Sequence, residues 1–262
     1  MQRLRVGWLQ MDIIWESPQE NIVQVEKLLS TGEADVWVLP EMWSTGFTMN
    51  VETAEPPEGT AWKAMKDWAS RKNALFIGSV QTRIGIKARN RLYAVFPNGH
   101  TLIYDKRHLF RMAGENQFYE PGDKQLLVEW MGWRLAPLIC YDLRFPVWSR
   151  RTPQYDYDML IYVANWPELR HAHWAALLPA RAIENQSYVL GVNRIGYDPN
   201  GHRYAGGSVL IDYKGEVLLH SGSAQGAFIA EIGLEALRTS RERFPAWRDA
   251  DAFQFIPNSP WG

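Results

Sequence analysis

The sequence predicts an α/β fold in which two mixed β-sheets pack against each other and helices flank them, an α-β-β-α sandwich. Apolar segments of strand length alternate with amphipathic helices in both halves of the chain. Hairpin patterns interrupt that order at residues 91–106, 126–140 and 208–220, so neither sheet is expected to be purely parallel. With 46% apolar residues and thirteen tryptophans, the 262-residue chain is able to bury a large core.

The first half of the chain predicts two helices and five strands. The first helix is expected from Ser17-Pro-Gln-Glu20, a capping box with proline at the first helical position, to Gly32. Asn98 and Gly99 tolerate the positive φ of a tight turn and therefore predict a hairpin. The second helix is predicted at 60–72, and the strands are predicted at 4–10, 36–39, 75–80, 91–96 and 101–106.

The second half repeats this order less regularly and shows no sequence repeat of the first. A hairpin is expected to turn at Met131-Gly132, and one long helix is predicted at 172–184. No linker-like segment separates the halves, so a single domain over residues 1–262 is predicted. The strands are predicted at 126–130, 133–140, 159–163, 188–193, 208–211, 217–220 and 226–232.

Composition argues against several classes of protein. The formal net charge is -1 with charges interspersed, so neither nucleic acid nor an anionic membrane is expected as a partner. No apolar segment approaches the ~18 residues of a membrane span, and the apolar stretch near the N-terminus is too short for a signal peptide. One cysteine cannot form an internal disulfide, which favours a reducing compartment. A cytoplasmic protein is expected.

Three reactive residues end apolar, strand-like segments, where burial normally excludes such groups. They are Glu41 after residues 36–40, Lys106 after 101–105 and Cys140 after 133–139. The polar turn that follows Cys140 exposes the sulfur and leaves the next backbone N–H free to face an oxyanion. A base, a cation and a thiol are the groups needed for acyl transfer through a thioester.

Each of the three also has an ordinary structural interpretation. Most free cysteines are small buried apolar residues. Glu41 could bind a loop N–H or an arginine, and a lysine at the end of an edge strand is commonly exposed. If all three interpretations hold, the chain is a non-catalytic scaffold with an inert thiol.

The histidines leave one alternative open. His171 and His173 lie two apart on a predicted helix and do not share a face, and no third ligand has suitable spacing, so no metal site is expected. A Cys-His pair is the other way to activate a thiol, and His108 and His173 are both candidate partners of Cys140. The chain has no G-x-S-x-G elbow, P-loop or dinucleotide fingerprint.

Seven sequence blocks, taken in order, resemble those of the nitrilase (carbon-nitrogen hydrolase) superfamily. The resemblance covers about the whole chain, and the ordered set is specific where each block alone is not. Within the superfamily the chain is most similar to the bacterial omega-amidases. The blocks are Leu39-Pro-Glu-Met42, Tyr104-Asp-Lys-Arg-His-Leu-Phe110, Tyr119-Glu-Pro-Gly-Asp123, Ile139-Cys-Tyr-Asp-Leu-Arg-Phe145, Ala164-Asn-Trp-Pro167, Arg181-Ala-Ile-Glu-Asn-Gln186 and Asn193-Arg-Ile-Gly196.

The resemblance implies an α-β-β-α sandwich and a catalytic triad of Glu41, Lys106 and Cys140. It also implies a second catalytic glutamate between the lysine and the Pro-Gly pair, which falls on Glu115. The rival, Glu120, lies too late in its block. The resemblance implies no cofactor. It implies that the protein forms homodimers or larger homo-oligomers.

Similarity to omega-amidases implies a small amide substrate, 2-oxoglutaramate or 2-oxosuccinamate, hydrolysed to the dicarboxylate and ammonia. Such a substrate carries a carboxylate, so a cation is expected in the pocket. Arg144 and Arg170 are the candidates, although Arg144 is as well explained by bracing its loop through Asp142. Another superfamily specificity, for deaminated glutathione or an N-carbamoyl amide, is the alternative.

Four further residues are expected around the substrate. Tyr141 contributes its backbone N–H to the oxyanion site. Phe47 and Trp43 follow the base and could form an apolar wall, with core packing the better explanation for Trp43. Trp166 begins the loop to Arg170, which lies beside the acyl pocket in the superfamily and differs here from the animal omega-amidases.

Overall fold

The computed structural model describes residues 2–255 and contains two six-stranded mixed sheets packed face to face. A separate two-stranded ribbon lies outside them. The strands in chain order are β1 (Arg3–Gln10), β2 (Val36–Val38), β3 (Leu75–Ile84), β4 (Lys87–Val95), β5 (Thr101–Asp105), β6 (Val128–Trp130), β7 (Trp133–Ile139), β8 (Met159–Ala164), β9 (Tyr188–Asn193), β10 (Ile195–Tyr197), β11 (Arg203–Ala205), β12 (Val209–Ile211), β13 (Val217–His220) and β14 (Gly226–Gly233).

The helices connect these strands and pack on the outer faces of the sandwich. Short 3-10 turns lie at Val51–Thr53, Arg111–Ala113, Cys140–Arg144, Glu168–Arg170 and Ala246–Asp249. The α-helices are α1 (Pro18–Leu29), α2 (Thr60–Lys72), α3 (Glu115–Phe118), α4 (Pro146–Ser149), α5 (His171–Asn185) and α6 (Leu234–Arg243).

The two sheets have the same strand arrangement. In the order β14-β1-β2-β3-β4-β5, the strands β1, β2 and β3 are parallel and the other pairings are antiparallel. In the order β6-β7-β8-β9-β12-β13, the parallel strands are β7, β8 and β9. Each sheet thus has three parallel central strands, with one antiparallel pairing on one side and two successive antiparallel pairings on the other. The halves share this topology without sharing a sequence repeat.

One apolar core lies between the sheets. Val38 and Ile77 of the first sheet belong to the same buried cluster as Leu138 and Ile161 of the second. This core is continuous between the two halves of the chain. Alternate residues of the first sheet face the other way, so that Trp37 packs in a second cluster with residues of α1 and α2. Helix α5 covers the second sheet.

The fold class is confirmed, and several element boundaries are corrected. Helix α1 ends at Leu29 instead of Gly32. The capping box does not form, because the Ser17 hydroxyl donates to the Glu20 carboxylate at 2.6 Å and binds no backbone N–H. The strand predicted to end at residue 80 continues to Ile84 and turns through Gly85, with φ +63°, into β4.

Gly7, in the centre of β1, allows close approach of the Trp37 ring. A Cβ atom at Gly7 would lie 2.7 Å from the Trp37 ring and 2.9 Å from Ala34 Cβ. We therefore expect Gly7→Ala to destabilise the protein by about 1–3 kcal/mol through overpacking, measured by denaturant unfolding. Gly226→Ala on the adjacent β14 is the control, since its Cβ would meet Phe228 at an ordinary 3.5 Å. Equal stability of the two variants would contradict this account.

Candidate active site

Three strand ends deliver Glu41, Lys106 and Cys140 to one buried cluster. Glu41 follows β2, Lys106 follows β5 and Cys140 follows β7. Lys106 Nζ donates to Glu41 Oε1 at 2.8 Å and to Glu115 Oε2 at 3.0 Å. The Glu41 carboxylate lies close enough to Cys140 to raise the pKa of its thiol. Lys106 is 1% exposed and both glutamates are 0% exposed, so these charges interact with little screening.

Cys140 occupies a strained turn at the end of β7. Its φ is +43°, in the left-handed region, where a non-glycine residue costs about 1–2 kcal/mol. It begins the 3-10 turn Cys140–Arg144, so the N–H of Tyr141 lies in the first turn and has no partner within that helix. The Cys140 sulfur lies 3.9 Å from the Asn165 carbonyl oxygen, and the residue as a whole is partly exposed. The turn therefore holds the sulfur at the strand end, away from the middle of the sheet.

The Glu41 carboxylate is fixed by several donors. Oε1 accepts from Lys106 and, at 2.8 Å, from Asn90 Nδ2. Oε2 accepts from the backbone N–H of Asn165 at 2.8 Å, and the Asn165 side chain donates to the Glu41 carbonyl. These contacts join both sheets around a single carboxylate and leave it little rotational freedom.

Burial and mutual charge set the protonation of the cluster. Burial raises the pKa of the Cys140 thiol well above its ordinary value, and the Glu41 carboxylate raises it further, while Lys106 opposes both. Burial alone would lower the pKa of Lys106, but Glu115 and Glu41 outweigh it and raise that pKa. With the thiol neutral and both glutamates ionised, the cluster carries a net charge of -1.

Glu115, and not Glu120, is the second glutamate at the lysine. Glu115 is the first residue of α3 and accepts from the N–H of Phe110 as well as from Lys106. Burial raises the pKa of Glu115, and the Lys106 ammonium opposes that shift. The Glu120 side chain is 43% exposed and pairs with Arg89 at 3.5 Å.

The structure does not favour a Cys-His pair. His108 Nδ1 bonds to Asp142 Oδ1 at 2.8 Å, and its ring stacks on Phe145. His173 Nδ1 accepts from Arg144 at 3.1 Å. Both candidate histidines are thus engaged with other residues. Within residues 2–255, no group of three His, Cys, Asp or Glu side chains is arranged to hold a metal ion.

A cavity of about 610 Å³ opens onto Cys140. Phe47, Trp166, Arg144 and Arg170 line it together with Glu41 and Lys106. The Phe47 ring lies 4.9 Å from Lys106 Nζ. Tyr141 does not line the cavity with its ring, which packs on Phe110 and Phe145. Trp43 is fully buried against Trp68, so core packing is the correct interpretation of that residue.

The predicted brace between Arg144 and Asp142 is wrong. Asp142 accepts from Tyr104, Ile139 and His108 instead. The Arg144 guanidinium binds His173 and lies 4.7 Å from the Trp166 ring. It faces the cavity and is free of the turn's own carboxylate because that carboxylate is saturated by other donors.

Arg170 reaches the same cavity from the neighbouring loop. Its Nη2 donates to the Met112 sulfur at 3.0 Å, and its guanidinium lies 5.5 Å from the Phe110 ring. Among the described residues, neither Arg144 nor Arg170 forms an ion pair with an aspartate or glutamate. Two cations without a carboxylate partner therefore face the space in front of Cys140.

Several site residues were missed by sequence reasoning. Asn165 could have been found by the signal that identified Glu41, Lys106 and Cys140, because it is a polar residue that directly follows an apolar strand, β8. Asn90 lies within β4, and nothing in its neighbours indicates that it binds Glu41. Asp198, His202 and Tyr204 also line the cavity, and they belong to the ribbon β10–β11 and its connection, which was not predicted as a hairpin.

Comparison with known proteins identifies the class. The family model of carbon-nitrogen hydrolases matches residues 5–242, and the chain belongs to this family. It is therefore a hydrolase of carbon-nitrogen bonds.

Individual relatives are similar over nearly their full length. Omega-amidase YafV of Yersinia enterocolitica is 49% identical, covering 98% of this chain and 100% of that protein. The 2-oxoglutaramate amidase of Bacillus subtilis is 35% identical, covering 93% and 96%. The crystal structure of a CN-hydrolase superfamily protein from Xanthomonas campestris, with an arsenic adduct in its active site, is 39% identical, has a TM-score of 0.94 and covers 98% and 100%.

The charge on Glu41 should control the reactivity of the thiol. Because the Glu41 carboxylate helps to raise the pKa of Cys140, Glu41→Gln is expected to lower that pKa and leave Lys106 beside the sulfur. Alkylation by iodoacetamide, followed as a rate against pH, should then begin at lower pH than in the unsubstituted protein. Glu120→Gln, at the exposed glutamate, should leave the profile in place. An unchanged or higher midpoint in Glu41→Gln would show that the carboxylate does not act on the sulfur.

Proposed function

We propose that this protein is an omega-amidase that hydrolyses the terminal amide of 2-oxo dicarboxylate monoamides, such as 2-oxoglutaramate and 2-oxosuccinamate. The observation that carries the proposal is a cavity with two arginines free of carboxylate partners among the described residues, next to the Glu41–Lys106–Cys140 cluster. A substrate with a carboxylate at one end and an amide at the other matches both. Relatives named omega-amidase and 2-oxoglutaramate amidase support the same assignment.

Glu41 acts as the general base in the first step. The raised pKa of Cys140 means that little thiolate exists before the substrate binds. Transfer of the thiol proton to Glu41 leaves the net charge of the cluster at -1, so it avoids adding a second negative charge to a buried site. The sulfur then attacks the amide carbon.

Lys106 and the Tyr141 N–H stabilise the negative oxygen that forms. Lys106 carries a positive charge fixed by two carboxylates, and the Tyr141 N–H has no partner within its 3-10 turn. Removing one such donor typically raises a barrier by about 2.7–4 kcal/mol. Lys106 is held by its two carboxylates and the Tyr141 N–H by its turn, so little reorganisation of either group is expected during the reaction.

Collapse of the intermediate breaks the carbon-nitrogen bond. Protonated Glu41 gives its proton to the leaving nitrogen, and ammonia departs from the thioester. A water molecule activated by Glu41 then attacks the thioester carbon, which releases the dicarboxylate and restores the Cys140 thiol. Glu115 holds Lys106 and orients the amide throughout.

Recognition of the substrate uses the cavity in front of the sulfur. Arg144 and Arg170 are the proposed partners of the substrate carboxylate, and guanidinium groups are suited to this because they bind carboxylates with paired donors. Phe47 and Trp166 line the same cavity and enclose the short chain between carboxylate and amide.

Other functions are less well supported. A specificity for deaminated glutathione or an N-carbamoyl amide would use the same cluster and a differently filled cavity. A scaffold with an inert thiol would require a sulfur walled off from solvent, whereas Cys140 lines the cavity.

We also propose that the protein acts without a cofactor, in the cytoplasm, as a homodimer or larger homo-oligomer. The assembly follows from the family resemblance, and light scattering of the purified protein measures it. Within residues 2–255, no helix is long and apolar enough to cross a membrane.

Replacing the nucleophile should abolish turnover. We expect Cys140→Ser to lower kcat on 2-oxoglutaramate by more than about 1000-fold, since no covalent intermediate forms efficiently, while thermal unfolding stays close to that of the unsubstituted protein. The unsubstituted protein should release ammonia from 2-oxoglutaramate far faster than from glutamine or asparagine. Substantial activity in Cys140→Ser would refute the thioester route, and a preference for glutamine would refute the proposed substrate class.

The cavity arginines should matter only for carboxylate substrates. Loss of one charge-assisted hydrogen bond costs about 1.5–3 kcal/mol, so Arg144→Gln or Arg170→Gln is expected to lower kcat/KM for 2-oxoglutaramate roughly 10- to 100-fold. For a simple uncharged amide, both variants should keep the kcat/KM of the unsubstituted protein. Arg71→Gln removes an arginine that pairs with Glu26 and Asp67 far from the cavity and is the control. If both cavity variants keep full kcat/KM, neither arginine binds the carboxylate.

A further inference from the structure

The Asp142 carboxylate, near the proposed nucleophile, is fully buried and fully hydrogen-bonded. It is 0% exposed, and its Oδ2 accepts from the Tyr104 hydroxyl at 2.7 Å and from the Ile139 N–H at 3.0 Å. Its Oδ1 accepts from the His108 N–H at 3.0 Å and bonds to His108 Nδ1 at 2.8 Å. Four hydrogen bonds from two segments of the chain thus converge on one side chain.

The positions of these donors relate Asp142 to the reacting groups. Tyr104 and His108 lie two residues before and two residues after Lys106. Ile139 and Asp142 lie one residue before and two residues after Cys140. The carboxylate therefore joins the chain around the proposed oxyanion donor to the turn that carries the proposed nucleophile, and the two belong to different sheets.

The partners of Asp142 are themselves held in place. The Tyr104 hydroxyl accepts from Trp148 Nε1 at 3.0 Å. The His108 ring stacks on Phe145 with 3.8 Å between centroids and 8° between planes. Asp142 does not line the cavity, so it has no direct route to a substrate. Any effect on the reaction has to act through the groups that it positions.

We propose that Asp142 is a positioning residue that clamps the Cys140 turn to the Lys106 segment and so sets the place of the sulfur relative to the ammonium. The bond from Ile139 closes the turn that keeps Cys140 at positive φ. The bonds from Tyr104 and His108 fix that turn against the other sheet. This inference rests on the proposed function of Cys140 and Lys106 and extends it to a residue that touches neither substrate nor sulfur.

Asp142→Asn tests the clamp at constant size. The amide has one oxygen, so in either orientation its NH₂ group faces a backbone N–H from which it cannot accept, that of Ile139 or that of His108. A misplacement of about 1 Å costs roughly 100-fold in rate, and we expect kcat per folded molecule to fall by about that factor, with a much smaller change in KM. Tyr104→Phe removes a single donor from the same carboxylate and should lower kcat by a smaller factor. Tyr104→Phe tests the clamp if Asp142→Asn does not fold.

Asp158→Asn is the matched control. Asp158 is also a buried aspartate and accepts from the Arg134 N–H at 3.0 Å and from Arg241 at 3.1 Å. It precedes β8, at the opposite end of the parallel strands from Cys140. It should lower stability without lowering kcat per folded molecule. If Asp158→Asn lost as much kcat as Asp142→Asn, the effect of Asp142→Asn would be explained by a general loss of stability. That result would overturn the proposal.

Alkylation of Cys140 gives a second readout that needs no substrate. Loosening the turn lets water reach the sulfur, so in Asp142→Asn the pKa of the thiol is expected to fall toward its ordinary value, and iodoacetamide should react at lower pH. Asp158→Asn should keep the original profile. If the profile shifts but no amide is hydrolysed by the unsubstituted protein, the clamp stands and the proposed function fails. An unchanged profile together with unchanged kcat in Asp142→Asn and Tyr104→Phe would overturn the clamp.

Discussion

The site depends on one buried ammonium group held between two carboxylates. Lys106 is stable as a cation at 1% exposure only because Glu41 and Glu115 lie within 3.0 Å of it. Removing one partner of a buried ion pair typically leaves an uncompensated charge, which is far more costly than an exposed pair is favourable. Burial raises the pKa of the Cys140 thiol, and the same two carboxylates raise it further. The electrostatics of the cluster therefore determine both its stability and the protonation state of the Cys140 thiol before the substrate binds.

The topology explains how such a cluster can be assembled. Glu41, Cys140 and Asn165 follow parallel strands, and Lys106 follows β5, which runs in the same direction as β1–β3. Parallel strands present their carboxyl ends at one edge, which is where α/β proteins generally bind ligands. Here two sheets bring such edges together, and Asn165 and Asp142 form hydrogen bonds between them. The rigid core behind the edge lets a strained turn at Cys140 persist.

Predictability differed among the residues of the site for identifiable reasons. Glu41, Lys106 and Cys140 stood out because each contradicts the apolar pattern of the strand that it ends. Glu115 had no such signal and was found through the family pattern alone. Asn90 lies between Arg89 and Arg91 in β4, and nothing in this polar run distinguishes the buried asparagine from its neighbours. The Arg144–Asp142 brace was inferred from closeness in sequence, yet the donors that saturate Asp142 include residues 34 and 38 positions away.

Local pattern was sufficient for the α/β class, for the alternation of strands and helices and for the choice of Glu41, Lys106 and Cys140 as candidates. Hydrophobic periodicity and turn chemistry act over a few residues, so one chain segment reveals them. Tertiary structure alone decided which arginines remain free for a ligand and which donors hold the Cys140 turn. Those outcomes depend on distances between segments tens of residues apart, and such distances are set by how the two sheets pack.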